Sequence, residues 1–346
     1  MFNQLCYNSA MKLSQIGEFG LIEKLNKQII AATNKHWKSS RELLLGIGDD
    51  AAVWKPQNPF QIITTDALVE GVHFSLKTST WQELGWKSVA VNLSDIAAMG
   101  GIPMFALVSL GLPKDILVEN IQSFYEGMLG ATKKFEVVII GGDIVGSPLV
   151  VVSVTLIGCA SNDEGKVLTR TAAKSGDKVA VTGYLGASAA GLAMLNRGLK
   201  FPVKAAAELR RAHLQPNPRL IEGQKLVDSS VKAGMDISDG LVGDLTHICE
   251  MSRVGAVINI DRVPISPTAN KYFGEKALGF ALGGGEDYEL LFTARARVVQ
   301  RVKKSMDCPV TIIGEITSEH PGKVVLVDSS GVVVNLKKRG WDAFKK

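Results

Sequence analysis

The chain has 346 residues, 46% of them hydrophobic and 21% charged, and a formal net charge of +5. That length buries a substantial core and is enough for two domains, and the basic residues are scattered rather than gathered into a stripe with interleaved aromatics, which argues against nucleic acid as a partner. The longest strongly apolar stretch, Leu149 to Ala160, falls short of the roughly 20 residues that span a bilayer and reads as a buried strand, so no membrane partner is expected.

Met1 to Ala10 has neither the basic-then-apolar pattern of a secretory signal nor the arginine-rich pattern of a transit sequence, and a cytoplasmic protein is expected. Residues 1–12 are read as a disordered extension, or as sequence ahead of a start at Met11. Ser14 to Lys35 suits a helix, with Ile16, Phe19, Leu21, Ile22 and Leu25 near a 3.6-residue period. Gln61 to Thr65 is a short β-rich run, Trp81 to Met99 a helix, and Met104 to Leu110 an apolar run. Ile116 to Phe135 is an amphipathic helix, Val137 to Ile140 a strand stopping at Gly141-Gly142, and Leu149 to Ile157 a further strand.

The polar segment Ser161 to Ser175 marks a domain boundary, giving domains at 13–160 and 165–346. Beyond it, Lys178 to Thr182 reads as a strand and Ala187 to Arg197 as a helix, joined by a tight turn at Gly183 and Gly186. Another helix follows the Pro-rich segment from His213 to Pro218. Ala233 to Ile237, Ala256 to Ile260, Tyr288 to Thr293 and Val324 to Val327 read as strands, making the chain α/β (α+β). Cys6, Cys159, Cys249 and Cys308 lie far apart, which suggests neither a zinc site nor a disulfide framework.

The chemistry resides in aspartates that sit at the ends of apolar runs beside Gly or Ser. They occur in Gly46-Ile47-Gly48-Asp49-Asp50, Thr64-Thr65-Asp66, Ser94-Asp95, Gly142-Asp143 and Asp236-Ile237-Ser238-Asp239-Gly240. Strand ends are where ligands bind in α/β folds, and carboxylates converging there repel one another unless cations join them. Hard oxygen donors beside a phosphorylated ligand favour magnesium, and neighbouring glycines let backbone N–H groups approach phosphate. Any one Gly-Asp pair is ordinary turn chemistry; five such motifs together point to phosphoryl transfer.

Several blocks resemble the thiamine-monophosphate kinase family. They are Gly-Glu-Phe-Gly-Leu-Ile at 17–22, Gly-Ile-Gly-Asp-Asp-Ala-Ala at 46–52, the run from Thr64 to Phe74, and the run from Val91 to Pro103. Met-Asp-Ile-Ser-Asp-Gly-Leu at 235–241, Gly-Gly-Glu-Asp-Tyr-Glu-Leu-Leu-Phe at 284–292 and Gly-Trp at 340–341 follow in family order. The resemblance implies a two-domain fold like that of aminoimidazole ribonucleotide synthetase, with an N-terminal domain that pairs across a homodimer and a C-terminal α/β domain. It implies ATP as co-substrate and several magnesium ions held by Asp50, Asp66, Asp95, Asp143, Asp236 and Asp239, with Thr64 and Thr65 beside them. ATP contacts are implied for Tyr125, Gly142, Asp143, Arg170 and Ser238, and contacts to thiamine monophosphate for His73, Glu286 and Trp341.

Without the resemblance, Trp341 and His73 read as packing residues, Tyr125 as a core residue and Arg170 as a solvated charge. The implied reaction is direct transfer of the ATP γ-phosphate to thiamine monophosphate in thiamine diphosphate biosynthesis. The acceptor is already ionised, so no general base is expected. Sister activities fit less well: Cys6 lacks the glycine-rich context of a selenophosphate synthetase, the chain does not end in the cysteine of a hydrogenase-maturation relative, and the His73 and Glu286 blocks depart from aminoimidazole ribonucleotide synthetase. Intact acidic positions argue against a non-catalytic nucleotide-binding module, and there is no Gly-x-x-x-x-Gly-Lys-Ser/Thr loop.

Overall fold

A computed structural model of the chain describes residues 11–48, 50–336 and 340. They form two compact units interleaved in sequence. One takes the chain up to Gln57 with Thr65–Val89 and Met104–Leu156; the other takes Asn58–Thr64, Ala90–Pro103 and everything from Ile157. Among the described residues no helix is long and apolar enough to cross a membrane.

In chain order the first elements are α1 (Leu13–Ala32), α2 (Lys38–Glu42), β1 (Leu43–Leu45), β2 (Val53–Trp54), β3 (Gln61–Val69), α3 (Trp81–Ala98), β4 (Gly101–Leu112), α4 (Val118–Lys134), β5 (Val138–Gly146) and β6 (Val151–Ala160). In α1, Leu21, Leu25 and Ile29 recur every four residues and are buried, packing the helix on α4. Phe19, expected on that face, is 83% exposed. At about 100° per residue, two positions before Leu21 lies on the opposite side of the helix.

A capping box starts α3: the Thr80 N–H donates to Glu83 Oε2 at 2.8 Å and the Glu83 N–H to Thr80 Oγ1 at 3.2 Å. Near this end α3 lies so close to α4 that a Cβ on Gly85 would stand 1.8 Å from the Phe124 carbonyl oxygen, and one on Gly127 1.9 Å from that of Gln82. The four-stranded sheet runs β3-β6-β4-β5, with β4 and β5 parallel from Phe105↔Val138 to Leu112↔Gly146. β5 therefore does not stop at Gly141-Gly142. A Cβ on Gly142 would lie 1.9 Å from the Val108 carbonyl oxygen, so this glycine permits a close strand approach instead of breaking the strand.

The second unit continues with β7 (Lys178–Thr182), α5 (Ala187–Arg197), α6 (Val203–Leu214), α7 (Leu220–Asp228), β8 (Ala233–Asp236), α8 (Leu241–Ser252) and β9 (Gly255–Asn259). After these come α9 (Pro267–Phe273), α10 (Lys276–Gly283), β10 (Leu290–Ala294), α11 (Ala296–Ser305), β11 (Val310–Thr317) and β12 (Val324–Val327). The six-stranded sheet runs β12-β9-β11-β7-β10-β8; only β12–β9 is parallel, so this unit takes the α+β form of the expected class. Its main core joins the sheet to α8 through residues such as Val181, Met235, Leu245, Ile248 and Leu291.

β11 lies inside this sheet yet was not anticipated from the sequence. Gly314 interrupts its apolar run because the strand bulges against β7 there, and a Cβ on it would stand 2.1 Å from the Val257 carbonyl oxygen. Also unanticipated is α11, whose buried face is only Val299 and Val302. Cys159 and Cys249 are buried packing residues and Cys308 is part-buried, whereas Cys6 lies outside the described residues.

Candidate active site

β8 ends on Asp236, and the chain turns through Ile237, Ser238 and Asp239 to Gly240, which starts α8 with a φ of 118°. One turn into that helix, Asp244 Oδ2 accepts the backbone N–H groups of Ser238 at 3.1 Å, Asp239 at 3.2 Å and Gly240 at 3.1 Å. The loop is thus wrapped around one buried oxygen at a helix N-terminus, where N–H groups lack helical partners. Burial, then the charges of Asp236 and Asp239, hold the Asp244 carboxyl well above the usual range.

Asp236 itself is buried, and its Oδ2 accepts a 2.6 Å hydrogen bond from Ser94 Oγ near the end of α3. The next residue, Asp95, accepts from Thr64 Oγ1 on β3. Burial pushes the Asp236 carboxyl up to about 7; the Asp95 charge adds to this, and the Ser94 hydrogen bond and Arg170 oppose it. Asp95 is also raised, by burial, against the Thr64 hydrogen bond and the Arg170 charge. Thr64, Ser94, Asp95, Arg170 and Asp236 therefore act on one another from four separated segments. Arg170 is itself exposed.

The segment before β10 has three departures from ordinary backbone within four residues, with φ of 70° at Gly285, 58° at Glu286 and 51° at Tyr288. Such conformations persist only where surroundings impose them. Here the Glu286 N–H donates to the Ser238 carbonyl at 2.7 Å and the Tyr288 N–H to the Ile237 carbonyl at 2.9 Å. Asp287 accepts the N–H groups of Gly186 at 2.7 Å and Ser188 at 3.2 Å, capping α5. Burial pushes the Asp287 carboxyl up to about 7 despite those two donors. Glu289 receives two hydrogen bonds from Arg219, 2.7 Å from Nε and 2.6 Å from Nη2, and one of 2.7 Å from Thr182 Oγ1. Glu286 Oε2 lies 3.2 Å from Nδ1 of His213.

In the first unit, Asp50 is exposed after β1 and Asp66 is part-buried on β3. Strand alternation puts Thr65 on the face opposite Thr64 and Asp66, where its Oγ1 donates to the Val154 carbonyl at 3.2 Å. His73 Nδ1 accepts the Val69 N–H at 3.1 Å, which leaves the ring proton of the neutral form on Nε2. Tyr125 is buried at 5% exposure and packs edge-on against Phe124, so its core role is realised. Gly142 and Asp143 are exposed on β5, with the Asp143 carboxylate accepting its neighbour Ile144's N–H at 2.9 Å. Trp341 lies outside the described residues.

The structure thus joins Thr64, Asp95, Arg170 and Asp236, ties Ser238 to Glu286 through a backbone bond, and holds Asp239 to Asp244. Among the described residues no three His, Cys, Asp or Glu side chains gather closely enough to hold a metal ion. The donor set nevertheless fits a hard cation: one buried and one part-buried carboxylate with neighbouring hydroxyls, ionised only at a cost that positive charge would offset. A groove of about 720 Å³ lined by residues including Lys166, Thr169, Asp228 and Lys232 contains none of the predicted site residues. Asp244, Asp287, Arg219 and His213 also shape the site; only Asp244, a lone acid in the apolar start of α8, carries a local signal of this in the sequence.

The chain is similar in sequence and fold to known proteins. The model of the AIR synthase related protein N-terminal domain matches residues 48–160, and that of the C-terminal domain residues 174–327. A thiamine-monophosphate kinase of Buchnera aphidicola is 39% identical over 338 residues, covering 95% of this chain and 99% of that protein. The crystal structure of a thiamine-monophosphate kinase from Stenotrophomonas maltophilia is 36% identical, with a TM-score of 0.79 over 90% of this chain and 96% of that one. A structure described as "AaThiL complexed with AMPPCP and TMP" is 33% identical, with a TM-score of 0.72 over 96% and 99% of the two chains.

Proposed function

Because the chain belongs to the thiamine-monophosphate kinase family, we propose that it transfers the γ-phosphate of ATP to thiamine monophosphate, yielding thiamine diphosphate and ADP. The observation that carries this reading is the pair of Asp236, buried, and Asp95, part-buried, braced by Ser94 and Thr64 and within the field of Arg170. Two neighbouring carboxylates so arranged are poorly placed to ionise alone and well placed to receive a cation-bound polyphosphate.

Magnesium ions would be held by Asp50, Asp66, Asp95, Asp143, Asp236 and Asp239 with the Thr64 hydroxyl beside them; the Thr65 hydroxyl faces the other side of β3, which leaves Thr65 only its backbone carbonyl for that role. Bound there, they supply charge neutralisation for the phosphates. Arg170 and Ser238 orient ATP together with Tyr125, Gly142 and Asp143, and His73, Glu286 and Trp341 hold thiamine monophosphate. The acceptor oxygen is ionised near neutral pH, so transfer is direct and needs no general base. The enzyme works as a cytoplasmic homodimer in thiamine diphosphate biosynthesis. The domains are placed at 13–160 and 165–346, and the break between them is supported by family models that end at residue 160 and resume at residue 174.

Purified protein with ATP and magnesium is offered thiamine monophosphate or unphosphorylated thiamine, and thiamine diphosphate and ADP are separated by chromatography. Equimolar products from the monophosphate alone are expected. ATP binding without turnover of either acceptor overturns the reading.

A further inference from the structure

His213 occupies the last turn of α6 and is 5% exposed. Its Nδ1 lies 3.2 Å from Glu286 Oε2 and 3.1 Å from Ser188 Oγ in the first turn of α5. A carboxylate only accepts, so Nδ1 carries the proton and donates to Glu286, with the serine oxygen as a second acceptor. The ring is held there by packing: a Cβ on Gly191 of α5 would lie 2.1 Å from the Leu209 carbonyl oxygen and 3.1 Å from His213 Cβ. α6 can approach α5 this closely only over a glycine.

Glu286 is fixed from the other side as well. Its N–H is bound to the Ser238 carbonyl, and a Cβ on the preceding Gly285 would stand 2.6 Å from that same oxygen. Asp287, the next residue, grips the N–H of Ser188. Backbone contacts thus set where Glu286 leaves the chain, and His213 sets where its carboxylate, 28% exposed, points.

We propose that His213 is a positioning residue for recognition of the thiamine moiety, holding the Glu286 carboxylate in one rotamer so that it presents its oxygens in a fixed place to the cationic heteroaromatic substrate. This rests on Glu286 contacting thiamine monophosphate. Freeing the carboxylate from that hydrogen bond is expected to lower affinity on the order of tenfold, a part of what a hydrogen bond to a charged group contributes.

The test compares His213→Leu, which lacks a donor, with His213→Asn, which offers an amide near the Nδ1 position. The Kd for thiamine monophosphate is measured by calorimetry with a non-hydrolysable ATP analogue present, and KM for each substrate and kcat are measured with magnesium and ATP. His213→Leu is expected to weaken thiamine monophosphate binding by roughly tenfold or more while KM for ATP stays within about twofold. His213→Asn restores most of the loss. Equal affinity in the two variants, or an effect on ATP as large as on thiamine monophosphate, overturns the proposal. Should His213→Leu not fold, His213→Gln replaces it, since its longer side chain carries the amide past the Nδ1 position; equal Kd for Asn and Gln overturns the proposal in that case. Glu286→Gln separates the two readings. No change in its Kd removes Glu286 from the substrate site, whereas weakened binding there beside unaltered His213→Leu refutes the role of His213 alone.

Discussion

The Glu286 backbone N–H donates to the Ser238 carbonyl oxygen at 2.7 Å, so the segment assigned to thiamine monophosphate and the segment assigned to ATP share a main-chain hydrogen bond. Gly285 sits at this junction with a φ of 70°, and a Cβ there would lie 2.6 Å from the Ser238 oxygen. Gly285→Ala is expected to raise KM for both substrates together and to cost about 1–3 kcal/mol of stability by chemical denaturation. A change confined to one substrate would mean that the two segments are independent.

Asp236→Asn tests the acidic pair. It removes a charge that burial and Asp95 both disfavour. Activity is expected to fall on the order of a hundredfold or more, while the metal-free protein melts higher than the parent at pH 7.5. An active Asp236→Asn enzyme at limiting magnesium would remove this residue from the metal set.

The pH dependence follows from the sign of the shifts. Asp95, Asp236, Asp244 and Asp287 all bind a proton more tightly folded than unfolded. That contribution to stability is complete below the unfolded carboxylate value of about 4 and is lost as pH rises through the folded value, about 7 for Asp236 and Asp287. Scanning calorimetry without divalent cations should show a lower melting temperature at pH 7.5 than at pH 5, and magnesium should raise it at 7.5 more than at 5. An equal magnesium effect at both pH values would count against cation binding by Asp95 and Asp236.

Arg219 and Glu289 form a two-point ion pair with side chains 21% and 10% exposed. Arg219→Met leaves the buried carboxylate uncompensated and should destabilise by about 3–5 kcal/mol in urea unfolding. Combining it with Glu289→Leu should recover most of the loss. If the double variant is no more stable than Arg219→Met, the pair's contribution lies in packing.

Gly142 was singled out for ATP, and the structure gives it a second reason. With the Val108 oxygen 1.9 Å from where a Cβ would be, Gly142→Ala should lower stability by about 2 kcal/mol or more even without nucleotide. Unchanged stability with weaker ATP binding would show that the β4–β5 approach is not limiting.

Local pattern by itself determined the helices α3 and α4, the strand end at Asp236 and the glycine-flanked acidic blocks that carry the family resemblance, because periodicity and turn residues are properties of a few neighbouring residues; Asp66, by contrast, lies inside β3, which runs on to Val69. The sheet order was not among them: β11 lies beside β7, more than a hundred residues earlier in the chain, and its bulge at Gly314 hides the strand period. The partners of the acidic site were also decided in space. Ser94 meets Asp236 across 142 positions, Arg219 meets Glu289 across 70, and Ser188 meets His213 across 25. A buried carboxylate is tolerable only where packing brings a donor to it, and no short window of sequence states which helix supplies that donor.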